Sequence, residues 1–95
     1  MRKYEILYIL QADLEESVIK ELMEKVNGLV TQNGGEIESV KEWGKRRLQY
    51  EINDMSEGYY VEVNFAGIPE VINELDRVIK ITDGFMRHMI VRKDD

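Results

Sequence analysis

Apolar and polar positions change their period several times along the chain, and each change marks an element. Tyr4-Glu5-Ile6-Leu7-Tyr8-Ile9-Leu10 is rich in aromatic and β-branched residues and predicts a buried strand. Leu14, Val18, Leu22, Val26, Leu29 and Val30 then recur at helical spacing, with Ile19 and Met23 widening the stripe. Asp13, followed by Glu16 three positions later, has the form of a capping box and predicts the helix start. Gly34-Gly35 after Asn33 offers the left-handed conformation that ends it. Ile37 to Ile52 reads as a long strand with a bulge or bend at Gly44. Within it Leu48, Tyr50 and Ile52 alternate with Arg47, Gln49 and Glu51, which predicts that the first three are buried and the others wet. Asn53 to Gly58 reads as a turn. Tyr59, Val61, Val63 and Phe65 alternate with Tyr60, Glu62, Asn64 and Ala66, a half-buried strand that completes a hairpin. Pro69 opens a second helix whose stripe is Ile68, Val71, Ile72, Leu75 and Ile79. Thr82-Asp83-Gly84 ends it, and Phe85 to Val91 is the last strand.

That order, β-α-β-β-α-β, is the split βαβ pattern of the α+β ferredoxin-like class: a four-stranded antiparallel sheet with both helices on one face. The 95 residues are expected to form one domain, 1–95. One sheet face is then left without a helix, where partners can meet the fold, although fold alone does not choose the partner. The absence of cysteine excludes disulfides, thiolate metal sites and cysteine nucleophiles. The opening Met-Arg-Lys-Tyr-Glu and the short run after it suit neither a signal peptide nor a membrane span, so a soluble cytoplasmic protein without a membrane role is expected.

Charge changes this picture. With 13 Lys+Arg against 19 Asp+Glu the net charge is −6, which disfavours nucleic-acid binding until the positions are considered. Acidic residues crowd the helices (Glu15, Glu16, Glu21, Glu24; Glu70, Glu74, Asp76), whereas Arg2-Lys3, Lys45-Arg46-Arg47, Arg87 and Arg92-Lys93 fall outside them. An acidic side and a basic side are predicted. Lys45-Arg46-Arg47 beside Trp43-Gly44 points to an anionic partner. Guanidinium forks match phosphate oxygens, and Trp43 either stacks on an exposed base or folds onto the core. Read without a ligand, the same triplet is a solvated edge whose charges block aggregation. Arg46 and Arg47, as strand neighbours, leave opposite faces. Arg87 and Arg92 belong to the last strand, which the fold places beside the first, so both are expected near Arg2 and Lys3.

No enzyme site is assembled. Glu15-Glu16 is explained by the helix dipole, and Gly34-Gly35 matches neither a phosphate loop nor a dinucleotide fingerprint. His88, the single histidine, reads as structural, with no catalytic role and no metal site. No nucleophile, base and orienting group come together, and no cofactor or small-molecule substrate is expected. An RNA-recognition motif shares the element order and would stack bases on Tyr8 and Tyr60. Glu57-Gly58-Tyr59-Tyr60, however, lacks the basic and small residues of that motif, and Tyr8 has core spacing.

Gly44-Lys45-Arg46-Arg47-Leu48-Gln49-Tyr50-Glu51-Ile52-Asn53 resembles the signature of the bacterial small-subunit ribosomal protein six family: glycine, basic residues, leucine, a small residue, tyrosine, a variable position and isoleucine. Arg2-Lys3-Tyr4-Glu5, Glu42-Trp43-Gly44 and Ile81-Thr82-Asp83-Gly84-Phe85-Met86-Arg87 are similar to the family elsewhere, so the resemblance spans the chain. Gln49 stands where serine or alanine is usual, and Glu51 where proline is frequent. The resemblance implies a structural constituent of the small ribosomal subunit that binds the central domain of its ribosomal RNA together with ribosomal protein eighteen as a heterodimer. It implies Lys45, Arg46, Arg47 and Arg87 as leading RNA contacts, then Arg2, Trp43 and Arg92, with the protein partner on the helix-free sheet face. The alternative from another class is a small ligand-sensing or regulatory dimer domain on the same fold, which would need a polar pocket between strands.

Overall fold

A computed structural model describes residues 1–52 and 54–93. The elements are β1 (Arg2–Gln11), α1 (Glu16–Gln32), β2 (Glu36–Ile52), β3 (Met55–Gly67), α2 (Pro69–Ile81) and β4 (Phe85–Arg92). Every strand pairing is antiparallel and the sheet order is β2-β3-β1-β4, so the expected ferredoxin-like topology is the one observed. Strands β2 and β4 are the edges.

Side chains alternate across β1, and the two sets meet different surroundings. Tyr4, Ile6, Tyr8 and Leu10 are buried with Val61, Val63 and Phe65 of β3 beneath Ile19, Leu22, Val26 and Val30 of α1 and Val71, Leu75 and Ile79 of α2. Both helices therefore cover one face. Each fully buried residue of Ile or Leu size contributes about 1.5–3 kcal/mol through loss of apolar surface from water. The Tyr8 hydroxyl is buried without a hydrogen-bond partner, and burial pushes its pKa up.

Helix α2 begins with Pro69 in its first turn, as expected, but Ile68 precedes the helix and is 45% exposed rather than part of its stripe. Helix α1 starts at Glu16, with Glu15 at the cap position and no side-chain capping bond. The Asp13–Glu16 capping box is therefore not formed, because Asp13 lies two residues before the cap and out of reach of the first free N–H groups. At the other end Asn33 is the cap residue and Gly34 takes a φ of +83°, as expected for that termination. Among the described residues no helix is long and apolar enough to cross a membrane.

Strands β2 and β3 extend beyond β1, since Met55, Ser56 and Glu57 have no partner there, and Met55 and Glu57 pair with β2. This part forms a two-stranded arm. The turn expected over Asn53 to Gly58 is consequently shorter, with β3 already running from Met55; Asn53 itself lies outside the described residues.

Candidate nucleic-acid interface

The interface begins with a backbone feature. Gly44 has a φ of +79° and the β2–β3 register shifts between Glu42 and Gly44. A glycine adopts this left-handed conformation without steric cost, and the resulting bulge re-aims the neighbouring side chains. On one side of the bulge, Glu42 lies opposite Val61 and accepts a 2.7 Å hydrogen bond from the Tyr59 hydroxyl. That carboxylate holds the phenol protonated and raises its pKa to about 12. Trp43 is turned to the helix-free face, where its indole stacks on Tyr60 with centroids 5.9 Å apart and planes 3° from parallel.

Arg46 follows opposite Gly58, with Lys45 opposite Tyr59 and Arg47 opposite Glu57. Gly58 fits a close approach: a Cβ there would collide with Ile9 Cγ2 and lie 3.2 Å from Leu48 Cδ2. Leu48 thereby closes over the glycine, at 8% exposure, and anchors the base of the arm against β1. Tyr50 does not follow Leu48 inward. It is 71% exposed, contrary to the expected alternation, because the ladder is interrupted between Arg47 and Ile52.

Arg87 reaches the same end of the sheet from the opposite edge. It pairs with Ile9, Ile9 with Tyr60 and Tyr60 with Gly44, so one cross-strand row joins Arg87 to the bulge over about 14 Å. Arg92 stands instead opposite Tyr4, about 17 Å along the strand from Arg87. The expectation that Arg87 lies near Arg2 and Lys3 is therefore corrected. Antiparallel pairing sends the start of β4 to the end of β1, and only Arg92 and Lys93 return to the chain's beginning.

The seven candidate residues thus divide into two groups. Trp43, Lys45, Arg46, Arg47 and Arg87 share one end of the sheet, while Arg2 and Arg92 share the other. Among the described residues Lys45, Arg46, Arg47 and Arg87 make no ion pair; the only side-chain bond in this set is a 3.4 Å donation from Arg46 to the Lys45 carbonyl. At the second end the lysines are neutralised within the chain. Lys3 pairs with Glu38, which raises the lysine pKa; Lys41 lies 3.9 Å from Glu62, and Lys93 lies 3.6 Å from Glu5. Lys93 also donates to Asn64 Oδ1 at 2.9 Å, and Asn64 donates to Ser39 at 3.1 Å. Arg92 is likewise engaged, whereas Arg2 is exposed and forms no ion pair among the described residues.

Between these ends the helix-free face carries an apolar strip along β1 and β4. Leu7 and Ile9 are half-buried there, Met89 is 59% exposed, and Val91 and Trp43 are each 40% exposed. Sequence reasoning did not single out Met89, Val91, Leu7 or Ile9. The signal was the unbroken apolar run Ile6 to Leu10 on a strand that only one helical layer can cover. His88 points to the helices instead, 2.6 Å from Asp76 of α2, and ties β4 to that helix.

The protein is of the ferredoxin-like class, with cations that form no ion pair among the described residues at one end of its helix-free sheet face. The ribosomal protein S6 family model matches residues 3–92, and the chain belongs to that family. It is similar to the crystal structure of 30S ribosomal protein S6 from Thermotoga maritima, with a TM-score of 0.92 and 27% identity over 97% of this chain and 87% of that one. Membership makes it a structural protein of the small ribosomal subunit in the cytoplasm, in a family for which ribosomal RNA binding is general.

Proposed function

We infer that the protein binds the central domain of small-subunit ribosomal RNA together with ribosomal protein eighteen, and supports subunit assembly as a scaffold without a reaction of its own. In this role residues 1–95 act as one domain. The observation that carries the reading is that, among the described residues, Lys45, Arg46, Arg47 and Arg87 form no ion pair in a chain of net charge −6. A cation already paired with a carboxylate must give up that partner before it can neutralise a phosphate, whereas an unpaired one releases counterions directly. Trp43 supports the site from beneath, through its stack on Tyr60, while Arg2 and Arg92 take secondary positions at the far end.

The apolar centre of the helix-free face suits the protein partner. Met89, Val91 and Trp43 form with Leu7 and Ile9 a contiguous surface of the kind that marks protein interfaces. A basic partner seated there would add positive charge beside the free arginines. The ligand-sensing alternative draws no support from the depression near Lys3 and Lys93, whose polar groups already bond to one another.

A gel-shift titration with central-domain ribosomal RNA, with and without ribosomal protein eighteen, tests the reading. Salt-sensitive binding that strengthens when the partner is present is expected. Absence of salt-sensitive binding under both conditions contradicts it.

A further inference from the structure

Tyr50 is the most exposed large aromatic residue of the chain, at 71%, and it lies in a strand between two withdrawn neighbours, Leu48 and Ile52. The ladder explains its position. Arg47 pairs with Glu57 and Ile52 with Met55, so four residues of β2, Leu48 to Glu51, face the single Ser56 of β3. The surplus backbone must leave the plane of the ribbon, and bulges of this kind re-aim a side chain. Leu48 is drawn back onto Gly58 and Ile9, and Tyr50 is thrown outward from the arm. The ring joins none of the three aromatic pairs of the molecule's described residues.

An exposed tyrosine forgoes the burial its ring would gain in the core, so its position is explained when something outside the chain covers it. The chemistry around it selects the cover. Within five positions before it stand Lys45, Arg46 and Arg47, all exposed and without ion pairs among the described residues. A run of free cations followed by an outward aromatic ring on a two-stranded arm is the arrangement that holds single-stranded nucleic acid, with the cations on phosphates and the ring on a base. A protein partner would favour the apolar centre of the sheet, where Met89 and Val91 are exposed, over an arm with this charge.

We propose that Tyr50 is a base-stacking contact: the bulge in β2 presents its ring to an unpaired nucleobase of the same RNA whose phosphates Arg46 and Arg47 engage. This rests on the RNA-binding reading above, which it deepens. Stacking tolerates any base, so the contact adds affinity and fixes where a looped-out nucleotide sits, without reading its identity.

The test titrates the full chain, with ribosomal protein eighteen present, against central-domain ribosomal RNA. Tyr50→Ala and Tyr50→Leu are expected to weaken binding about tenfold, while Tyr50→Phe and Tyr50→Trp stay within about twofold. The melting temperature and the salt dependence should not move in any of them, because the side chain is exposed and uncharged. Loss of binding in Tyr50→Phe would assign the effect to the hydroxyl, and retention in Tyr50→Leu would assign it to bulk; either overturns the stack. So does weakened binding of Tyr50→Ala to ribosomal protein eighteen in the absence of RNA. If Tyr50→Ala binds RNA like the wild type while Arg46→Glu/Arg47→Glu does not, the stack is wrong and the RNA reading stands. If the double arginine variant also binds normally, both fall.

Discussion

At the end of the sheet where the chain begins, Lys3, Lys41 and Lys93 pair with Glu38, Glu62 and Glu5; at the far end Lys45, Arg46, Arg47 and Arg87 form no ion pair among the described residues, although Arg47 stands opposite Glu57 in the ladder. Both ends carry exposed cations. They differ in whether the positive charge is already neutralised inside the chain. Exposed ion pairs add only about 0–1 kcal/mol each to stability, so the paired end is not held together chiefly by its charges. What pairing changes is availability. A net charge of −6 describes neither end, because it averages the acidic helices with a set of uncompensated guanidinium groups.

The largest expected effect separates the two ends in RNA binding. Arg46→Glu/Arg47→Glu should weaken binding to central-domain RNA by about 100-fold, near 2.7 kcal/mol, with thermal unfolding little changed because both residues are exposed. A normal affinity in a folded double variant would erase the comparison. Next comes the aromatic support of the free end. Trp43→Ala removes the stack on Tyr60 and should cost about 0.5–1.5 kcal/mol of stability by denaturant unfolding, beyond the loss of buried area. No change would mean the two rings merely lie together.

A smaller effect is expected at the paired end. Lys41→Gln and Lys93→Gln should each shift stability by no more than about 0.5–1 kcal/mol and leave RNA affinity within about threefold. A loss as large as that at the arginines would show that pairing does not silence a cation. The smallest effect is a pH dependence. The Tyr59 pKa rises from 10.0 to about 12 through its bond to Glu42, so the folded state binds this proton more tightly than the unfolded chain. The bond's stabilisation is present in full below pH 10 and fades as pH rises through about 12. Tyr59→Phe should flatten that stretch of the stability profile; an unchanged profile would show that the Tyr59–Glu42 bond does not contribute to it.

The element order was legible because strand and helix periods alternate cleanly. Val61, Val63 and Phe65 are buried where alternation placed them, and Val71, Leu75 and Ile79 where helical spacing did. Gly44 announced its bulge, since a lone glycine in a strand pattern signals a special backbone. Tyr50 was misread because alternation assumes one residue opposite one, and the extra residues of β2 between Arg47 and Ile52 appear only once the register with β3 is known. Arg87 was misplaced for a similar reason: antiparallel pairing decides which end of a neighbouring strand a residue reaches, and residue type does not. The Asp13 cap failed because a short motif competes with the chain's path out of β1, and the helix began two residues later than the motif suggested. The division between paired and unpaired cations could not be read at all, since Lys3 meets Glu38, and Lys93 meets Glu5, only across strands.

The salt dependence of RNA affinity counts the phosphates that each cation neutralises. When a variant neutralises one phosphate fewer, the slope of log affinity against log salt should fall by about 0.7–0.9. That fall is expected for Arg46→Gln and again for Arg47→Gln, and no fall for Lys41→Gln or Lys93→Gln. An unchanged slope in the arginine variants, or an equal fall in the lysine variants, would contradict it.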